Sequence, residues 1–376
     1  MRIGIEAQRL FRPHKHGMDV VALELIRALQ RTDTQNEYFI FVKPDTDRKC
    51  LQSTDNVKII EIPSTNYAVW EQVQLPRFAR KYNLDVLHCT ANTAPVFCKI
   101  PLVLTLHDVI FLEKTDKKSS ASAYQRYGNM YRSWLVPHVT QKASQVVTVS
   151  QYEKGQIKNQ LPLQEEKISV VYNGLSTYFQ RKPTEAQVAL VKQRYHLPQR
   201  FLLFLGNTDP RKNLKKVLKA FAELAEKQSD IELVITGLSE EVIESELTKQ
   251  GKLPLRRRIR CIGYVPFYLL PIIYREAEAF LYPSLHEGFG LPILEAMSCG
   301  TPVVTSTSTA MPEVAGDAAY LVNPHDAKDI LRGIEAALTH DALRSTKVSA
   351  GLKRVNQFSW DRSALQMQQI YQSIAS

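Results

Sequence analysis

Long apolar runs are missing from this chain of 376 residues. No window approaches the ~20 consecutive apolar residues that span a bilayer, so any membrane contact is expected to be peripheral. The opening MRIGIEAQRLF holds no apolar segment of the kind found in signal peptides. Cysteine is scarce and odd in number: Cys50, Cys89, Cys98, Cys261 and Cys299, with no pair at CxxC spacing. That pattern argues against a disulfide framework and against a zinc site, and predicts reduced thiols in a cytosolic chain. Low-complexity tracts are absent, and so are internal repeats of solenoid length. No G-x-x-x-x-G-K-[ST] and no G-x-S-x-G occurs, which leaves kinase, P-loop NTPase and serine hydrolase readings without support. Charge is not lacking. Lys and Arg total 48 against 38 Asp and Glu, a net of +10, with +6 in residues 1–175 and +4 in the remainder. So modest and spread a surplus suits anionic ligands or an anionic membrane face and does not demand nucleic acid.

What is present is alternation. The chain is too long for one ordinary core, so two domains are expected. Short runs rich in Val, Ile and Phe lie at 2–6, 38–42, 58–62, 86–89, 102–107, 146–150 and 168–172. Continuous apolar character without alternation predicts strands buried on both faces, as in a parallel sheet. Helical patterns, such as 20–29 and 73–81, separate them, which predicts a doubly wound α/β sheet. A polar stretch at 174–198, with Gly174, Pro183 and Pro198, marks the expected junction. The alternation then restarts, with strands expected at 201–205, 232–236, 259–262, 279–282, 302–305 and 320–322. Helices at 327–338, 342–355 and 362–374 close the chain. Two such halves predict a ligand cleft facing the C-terminal strand ends.

The densest chemical signal is LYPSLHEGFGLPILEAMSCGTPVV, residues 281–304. A strand ends near Tyr282, and a loop over 284–290 carries two glycines that let backbone N–H groups approach a ligand. Pro292 opens a helix expected at 293–299, and Gly300 stops it. The start of that helix is an anion site suited to a diphosphate. Glu287 and Glu295, eight apart, flank the turn, and carboxylates accept hydrogen bonds from hydroxyl-rich ligands. Taken alone, their spacing equally fits capping or solvated glutamates. A second cluster, Gly206-Asn207-Thr208-Asp209-Pro210-Arg211-Lys212-Asn213, follows the first strand of the second half. Arg211 and Lys212 there could bind a diphosphate or form a solvated basic turn.

HEGFGLPILEAMSCGTPVV resembles the E-x7-E signature of glycosyltransferase family 4, retaining nucleotide-sugar enzymes with the GT-B fold. The resemblance covers nearly the whole chain, with VVYNGL at 170–175, FLGNTDPRKNL at 204–214, VITG at 234–237, IGYV at 262–265 and FSWDRSA at 358–364 in the family's order. It implies an α/β chain of two Rossmann-like, doubly wound domains with an interdomain cleft. Residues 1–175 would bind the acceptor, with a helix at about 360–376 crossing back onto them, and 176–359 would bind the nucleotide sugar. It implies catalytic roles for His107, Lys212 and Glu287. Donor contacts would fall to Gly17, Arg211, Lys212, Gly237, Gly288, Phe289, Gly290, Leu291 and Glu295. No metal and no cofactor is expected beyond the nucleotide-diphosphate sugar as co-substrate. Many members carry arginine after the first glycine of the second cluster, where this chain has Asn207.

Other residues divide between function and structure. Gly17 and Met18 are read as a loop between the first strand and the first helix. His107 ends a strand on the ligand side, and the resemblance places such a histidine against the transferred sugar. His88 also ends a strand and reads as lining or core. Within 114–134, Tyr124, Tyr127, Tyr131 and Trp134 recur at helical spacing among Lys117, Lys118, Arg126 and Arg132. That stripe fits a helix docking on the core, or a surface that meets an anionic membrane bearing a lipid-linked acceptor. Trp360 reads as hinge or core. Asp45-Thr46-Asp47 is a D-x-D in a polar turn, and His14-Lys15-His16 lacks nearby carboxylate or cysteine ligands, so neither predicts a metal site. The expectation is therefore a hexosyltransferase of surface-polysaccharide or mannosyltransferase type, using a glycan or lipid-linked acceptor at the cytoplasmic face of the plasma membrane. Two rivals stay open: a nucleotide-sugar epimerase of the same fold, and a non-catalytic sugar-binding subunit.

Overall fold

The computed structural model of the chain describes residues 1–112, 123–339 and 342–375, with the side chains of 123–127 outside that description. It separates into two compact units, Met1–Gly174 with Ser359–Ser376, and Leu175–Phe358.

The first unit is a seven-stranded parallel sheet. In chain order its strands are β1 (Arg2–Glu6), β2 (Glu37–Val42), β3 (Val57–Glu61), β4 (Val86–Cys89), β5 (Leu102–Leu106), β6 (Gln145–Thr148) and β7 (Ile168–Val170). Their spatial order is β3-β2-β1-β4-β5-β6-β7. Strand β5 is LVLTL and buried throughout. A strand covered by helices on both faces needs apolar side chains on both, which is why the runs do not alternate. The order reverses after β1, so the C-terminal ends of β1 and β4 flank the switch point where ligands gather in such sheets. Helix Gly17–Thr32 follows β1. The loop expected at Gly17 and Met18 is thus the first turn of the helix, because His16 and Asp19 form a reciprocal cap that starts it there.

The last helix, Trp360–Ala375, belongs to this first unit and packs on helix Gly17–Thr32. Two features seat it. A Cβ on Gly174 would lie 2.1 Å from the Trp360 backbone nitrogen, so only glycine lets the chains approach this closely. Tyr371 hydroxyl and His88 Nδ1 lie 2.7 Å apart, and His88 Nε2 lies 2.7 Å from Thr105 Oγ1. His88 is wholly buried, and burial pushes its pKa down to about 3. It is a neutral core group with both ring nitrogens engaged.

The second unit holds six parallel strands: β8 (Phe201–Leu205), β9 (Glu232–Thr236), β10 (Ile259–Gly263), β11 (Ala279–Tyr282), β12 (Val303–Ser306) and β13 (Tyr320–Val322). Their order is β10-β9-β8-β11-β12-β13. On one face, Phe204, Leu233, Ile235 and Leu281 pack with Val217, Phe221 and Leu224 of helix Leu214–Lys227 and Ile330 and Ile334 of helix Ala327–Leu338. The topology again reverses beside the first strand of the unit, so the C-terminal ends of β8 and β11 flank its switch point.

Candidate active site at the C-terminal edge of the second sheet

Four loops meet at this edge, after β8, β11, β12 and β13. Asn213 is in the left-handed region at φ 64°, and its side-chain amide donates to the carbonyls of Pro283 at 2.9 Å and Pro324 at 2.7 Å. Leu285 N–H donates to the Arg211 carbonyl at 2.7 Å. Glu287 N–H donates to Thr309 Oγ1 at 3.2 Å. These bonds fix the loops against one another and bring Lys212 to Glu287.

Lys212 Nζ donates to Glu287 Oε1 at 2.6 Å and to the Tyr282 hydroxyl at 3.0 Å, and it sits 4.9 Å from the Tyr282 ring centroid. The Lys212 and Glu287 side chains are only 24% and 17% exposed. Burial works against the ammonium charge, but Tyr282 and Glu287 outweigh it and hold the Lys212 pKa above its ordinary range. An ammonium confined this way stays charged at any physiological pH and is already aimed.

Arg211 is arranged differently. Its Nε and a terminal nitrogen donate to Asp209 Oδ2 at 2.9 and 2.7 Å, and its backbone N–H donates to Asp209 Oδ1 at 2.9 Å. The guanidinium therefore already carries a carboxylate.

Glu295 was expected beside Glu287. It is 8% exposed, in the middle of helix Leu291–Ser298, and its Oε2 accepts from the Tyr274 hydroxyl at 3.0 Å. Burial raises its pKa to about 7, partly offset by that hydrogen bond. Its Oε1 has no hydrogen-bond partner among the described residues. The structure thus joins Lys212 to Glu287 and ties Glu295 to Tyr274.

The glycine loop keeps its expected backbone. Gly290, at φ 108°, caps helix Leu291–Ser298, which begins two residues earlier than its sequence pattern suggests. Pro292 has no N–H, and Ile293 N–H donates to the Gly290 carbonyl at 3.0 Å. Two of the first three donors of that helix are therefore not offered to an anion. Phe289 is buried with its ring edge-to-face on Phe358 at 5.7 Å, as core packing. Gly288 and Leu291 flank it and are partly exposed.

Gly237 sits where β9 ends, at φ 71°, with its N–H donating to the Gly263 carbonyl at 2.7 Å. A Cβ on Gly237 would lie 2.6 Å from the Gly206 carbonyl oxygen, and one on Gly206 would lie 2.7 Å from the Thr236 carbonyl oxygen. Gly206, Gly237 and Gly263 therefore bring three strand ends together with no side chains between them.

Sequence reasoning did not single out Tyr282, Asn213, Thr309 or Ser284. Ser284 is 1% exposed, and its Oγ has no hydrogen-bond partner among the described residues. Tyr282 was visible only as a strand end. Its pairing with Lys212 spans 70 residues and leaves no local pattern.

His107, in the first unit, follows β5 and is 8% exposed. Its backbone N–H donates to Asn92 Oδ1 at 2.7 Å, and its Nε2 donates to the Thr90 carbonyl at 2.8 Å. Burial lowers its pKa, so the ring is neutral with an acceptor at Nδ1. Gly17 opens its helix with nothing within 4 Å of where a Cβ would stand.

Asp47 is ion-paired with Lys15, and Asp45 accepts from Thr46 N–H at 2.7 Å. Among the described residues no cluster of three metal-ligating His, Cys, Asp or Glu side chains occurs. Of the aromatic stripe, 114–122 and the side chains of Tyr124, Arg126 and Tyr127 lie outside the described residues. Within helix Ala123–Lys142, Tyr131 turns inward, donating to Glu71 Oε2 at 2.6 Å, while Trp134 is 60% exposed. The two rings therefore do not share one face.

Comparison with known proteins agrees with this architecture. Residues 16–179 match the family model described as Glycosyltransferase Family 4, and residues 190–354 match Glycosyl transferases group 1. The O-antigen chain mannosyltransferase B of Escherichia coli is 37% identical over 229 residues, 60% of this chain and 59% of that protein. The serotype-specific mannosyltransferase WbdA of Escherichia coli is 36% identical over 181 residues, 47% of this chain and 22% of that protein. The matches thus span less than two thirds of either relative's length. The Anabaena protein HepE, solved in complex with UDP-glucose, superposes with a TM-score of 0.76 at 18% identity over 99% of this chain and 100% of that one. With each of its units carrying one of the two family domains, the chain belongs to glycosyltransferase family 4 and has the GT-B fold.

Proposed function

We propose that this protein moves a hexose, of the mannose type, from a nucleotide-diphosphate sugar to a glycan or lipid-linked glycan acceptor in cell-surface polysaccharide synthesis, with retention of anomeric configuration. The observation that carries the reading is the Lys212 ammonium, permanently charged and held by Tyr282 and Glu287 at the switch point of the second sheet. The mannosyltransferase names of the relatives and the UDP-glucose bound by HepE support it.

In the proposed reaction the donor diphosphate replaces Glu287 as the partner of Lys212. As the bond from the anomeric carbon to the phosphate oxygen breaks, negative charge grows on the leaving diphosphate, and Lys212 offsets it. The acceptor hydroxyl oxygen forms the new bond from the same face, and its proton passes to the leaving phosphate oxygen. Glu287, released from Lys212, accepts hydrogen bonds from the sugar hydroxyls. The open Oε1 of Glu295 takes the ribose. No step assigns work to a metal, so chelation by EDTA is expected to leave turnover unchanged. The deciding experiment is a calorimetric screen of nucleotide sugars, followed by product analysis with and without acceptor. Transfer only in the presence of acceptor supports the reading. Conversion of the donor alone would identify an epimerase, and binding without turnover a non-catalytic subunit.

Among the described residues no helix is long and apolar enough to cross a membrane. Met130, Trp134, His138 and Lys142 recur every fourth residue along the exposed face of their helix, and exposed Phe97 lies 4.9 Å from the Lys142 ammonium. An aromatic and cationic stripe of this kind suits an anionic bilayer surface. We assign the peripheral contact to this stripe, and co-sedimentation with phosphatidylglycerol vesicles tests it against Trp134→Ala.

A further inference from the structure

The reaction proposed above takes Glu287 away from Lys212, so another group must hold the ammonium while the bond to the diphosphate breaks. Tyr282, the last residue of β11, stands in the right place. It is 2% exposed, and its hydroxyl accepts from Lys212 Nζ at 3.0 Å. Backbone contacts set the approach of the two residues. Asn213, next to Lys212, donates its side-chain amide to the carbonyl of Pro283, next to Tyr282. Thr305 Oγ1 donates to the Tyr282 carbonyl at 2.9 Å.

The Tyr282 ring is held as firmly as its backbone. It stacks on Phe280 at 5.6 Å and 23°, two residues earlier on the same face of β11. Phe280 meets Tyr274 of helix Leu270–Glu276 edge-to-face at 5.0 Å, and Tyr274 meets Phe179 at 6.0 Å. Phe179, Tyr274 and Phe280 are wholly buried. Four rings thus form a ladder, and the Tyr282 hydroxyl is its end. Lysine is a point charge on a flexible four-carbon stem, so it is aimed only when a rigid group holds its tip.

Tyr282 and Glu287 differ as partners. Glu287 is a carboxylate and cancels the charge of the ammonium that it holds. Burial, with the Glu287 charge beside it, keeps the Tyr282 phenol above its ordinary pKa, so the hydroxyl stays protonated and neutral. A neutral oxygen aims the ammonium and leaves its charge for the ligand. Glu287 suits the state before the diphosphate arrives, and Tyr282 suits the state after.

We propose that Tyr282 is a positioning residue for Lys212, keeping the ammonium aimed at the diphosphate once Glu287 has turned to the sugar. The leaving-group role rests on the transferase reading; the hold on Lys212 toward a bound diphosphate does not.

A double-mutant cycle on the full chain tests it. A nucleoside diphosphate carries the leaving-group charge in full, so its affinity reports the contact without turnover. GDP and UDP are the probes, by calorimetry. Tyr282→Phe keeps the ring and removes the hydroxyl. It should weaken binding of whichever probe wild type takes ~tenfold, the loss expected for one hydrogen bond to a charged group. Its kcat should fall by a similar factor, with the donor KM within about twofold of wild type. Beside Lys212→Ala the same substitution should cost nothing further, because a group that acts through Lys212 then has nothing to hold. Phe280→Leu, which loosens the ladder one ring from Tyr282, should give a smaller loss that also vanishes beside Lys212→Ala. Thermal melting checks that each variant folds. A loss in either variant that persists beside Lys212→Ala would overturn the proposal, since Tyr282 would then act on the fold or on the ligand itself. Unchanged diphosphate affinity and kcat in Tyr282→Phe would also overturn it, as would a wild type that binds neither probe. If a probe binds with the expected coupling but no sugar is transferred, the transferase reading fails and the role of Tyr282 stands.

Discussion

The two units share one architecture and spend their charges in opposite ways. Each is a parallel sheet whose working loops lie at the C-terminal edge, where the strand order reverses. In the second unit the cations arrive already paired, Lys212 with Glu287 and Arg211 with Asp209. In the first, Arg9 rests on the Tyr67 ring. An anionic ligand brings its own counter-charge, so a site for it can store its cation against a carboxylate and exchange partners on binding.

Five substitutions sharpen or break this contrast. Lys212→Ala should have the largest effect, lowering kcat ~10²–10³-fold through loss of charge stabilisation at the leaving group. Steady-state assay with the identified donor reads it, and near-normal turnover would remove Lys212 from that role. Glu295→Ala should raise the donor KM about tenfold with little change in kcat, as for a group that binds ground and transition states alike. Unchanged donor affinity would make Glu295 purely structural. Arg211→Ala should cost only roughly a few-fold, since a guanidinium tied to Asp209 contributes less than a charge held for the ligand. A loss as large as that of Lys212 would mean that Asp209 gives Arg211 up on binding.

The smallest effect concerns stability. Each unit buries one carboxyl whose pKa burial lifts to about 7, Glu6 in the first and Glu295 in the second. Folded chains keep those protons to about pH 7, whereas unfolded chains release them near pH 4.5. Stability therefore falls as pH rises through that window. Glu295→Gln should remove its share, so that the variant gains on wild type by on the order of 1–3 kcal/mol between those pH values. In the first unit His88 runs the other way. Its folded pKa is depressed to about 3, so its contribution grows as pH climbs toward 6.5. Glu6→Gln should expose that rise. Urea titrations across pH check both, and a Glu295→Gln curve parallel to wild type would show that the Glu295 carboxyl is already ionised in the fold.

Strands were the most legible part of this protein. The runs at 201–205, 232–236 and 279–282 are strands with those same bounds, because a strand buried on both faces must be apolar at every position. Helix starts were less so. The first helix begins at Gly17 rather than near Val20 because a cap formed by His16 and Asp19 outweighs the weak propensity of glycine. The packing of Phe289 against Phe358, 69 positions away, left no local pattern.

Sequence alone determined the two parallel sheets, the glycine-lined loop after β11 and the presence of Lys212, Glu287 and Glu295, since burial periodicity and backbone freedom are local properties of a chain. Tertiary structure decided which of those charges meet. Tyr282 and Glu287 close on Lys212, Asp209 takes Arg211, Tyr274 takes Glu295, and Arg9 rests on the Tyr67 ring. Electrostatic and hydrogen-bond energies depend on separations of a few ångströms, and only the packing of distant segments sets those.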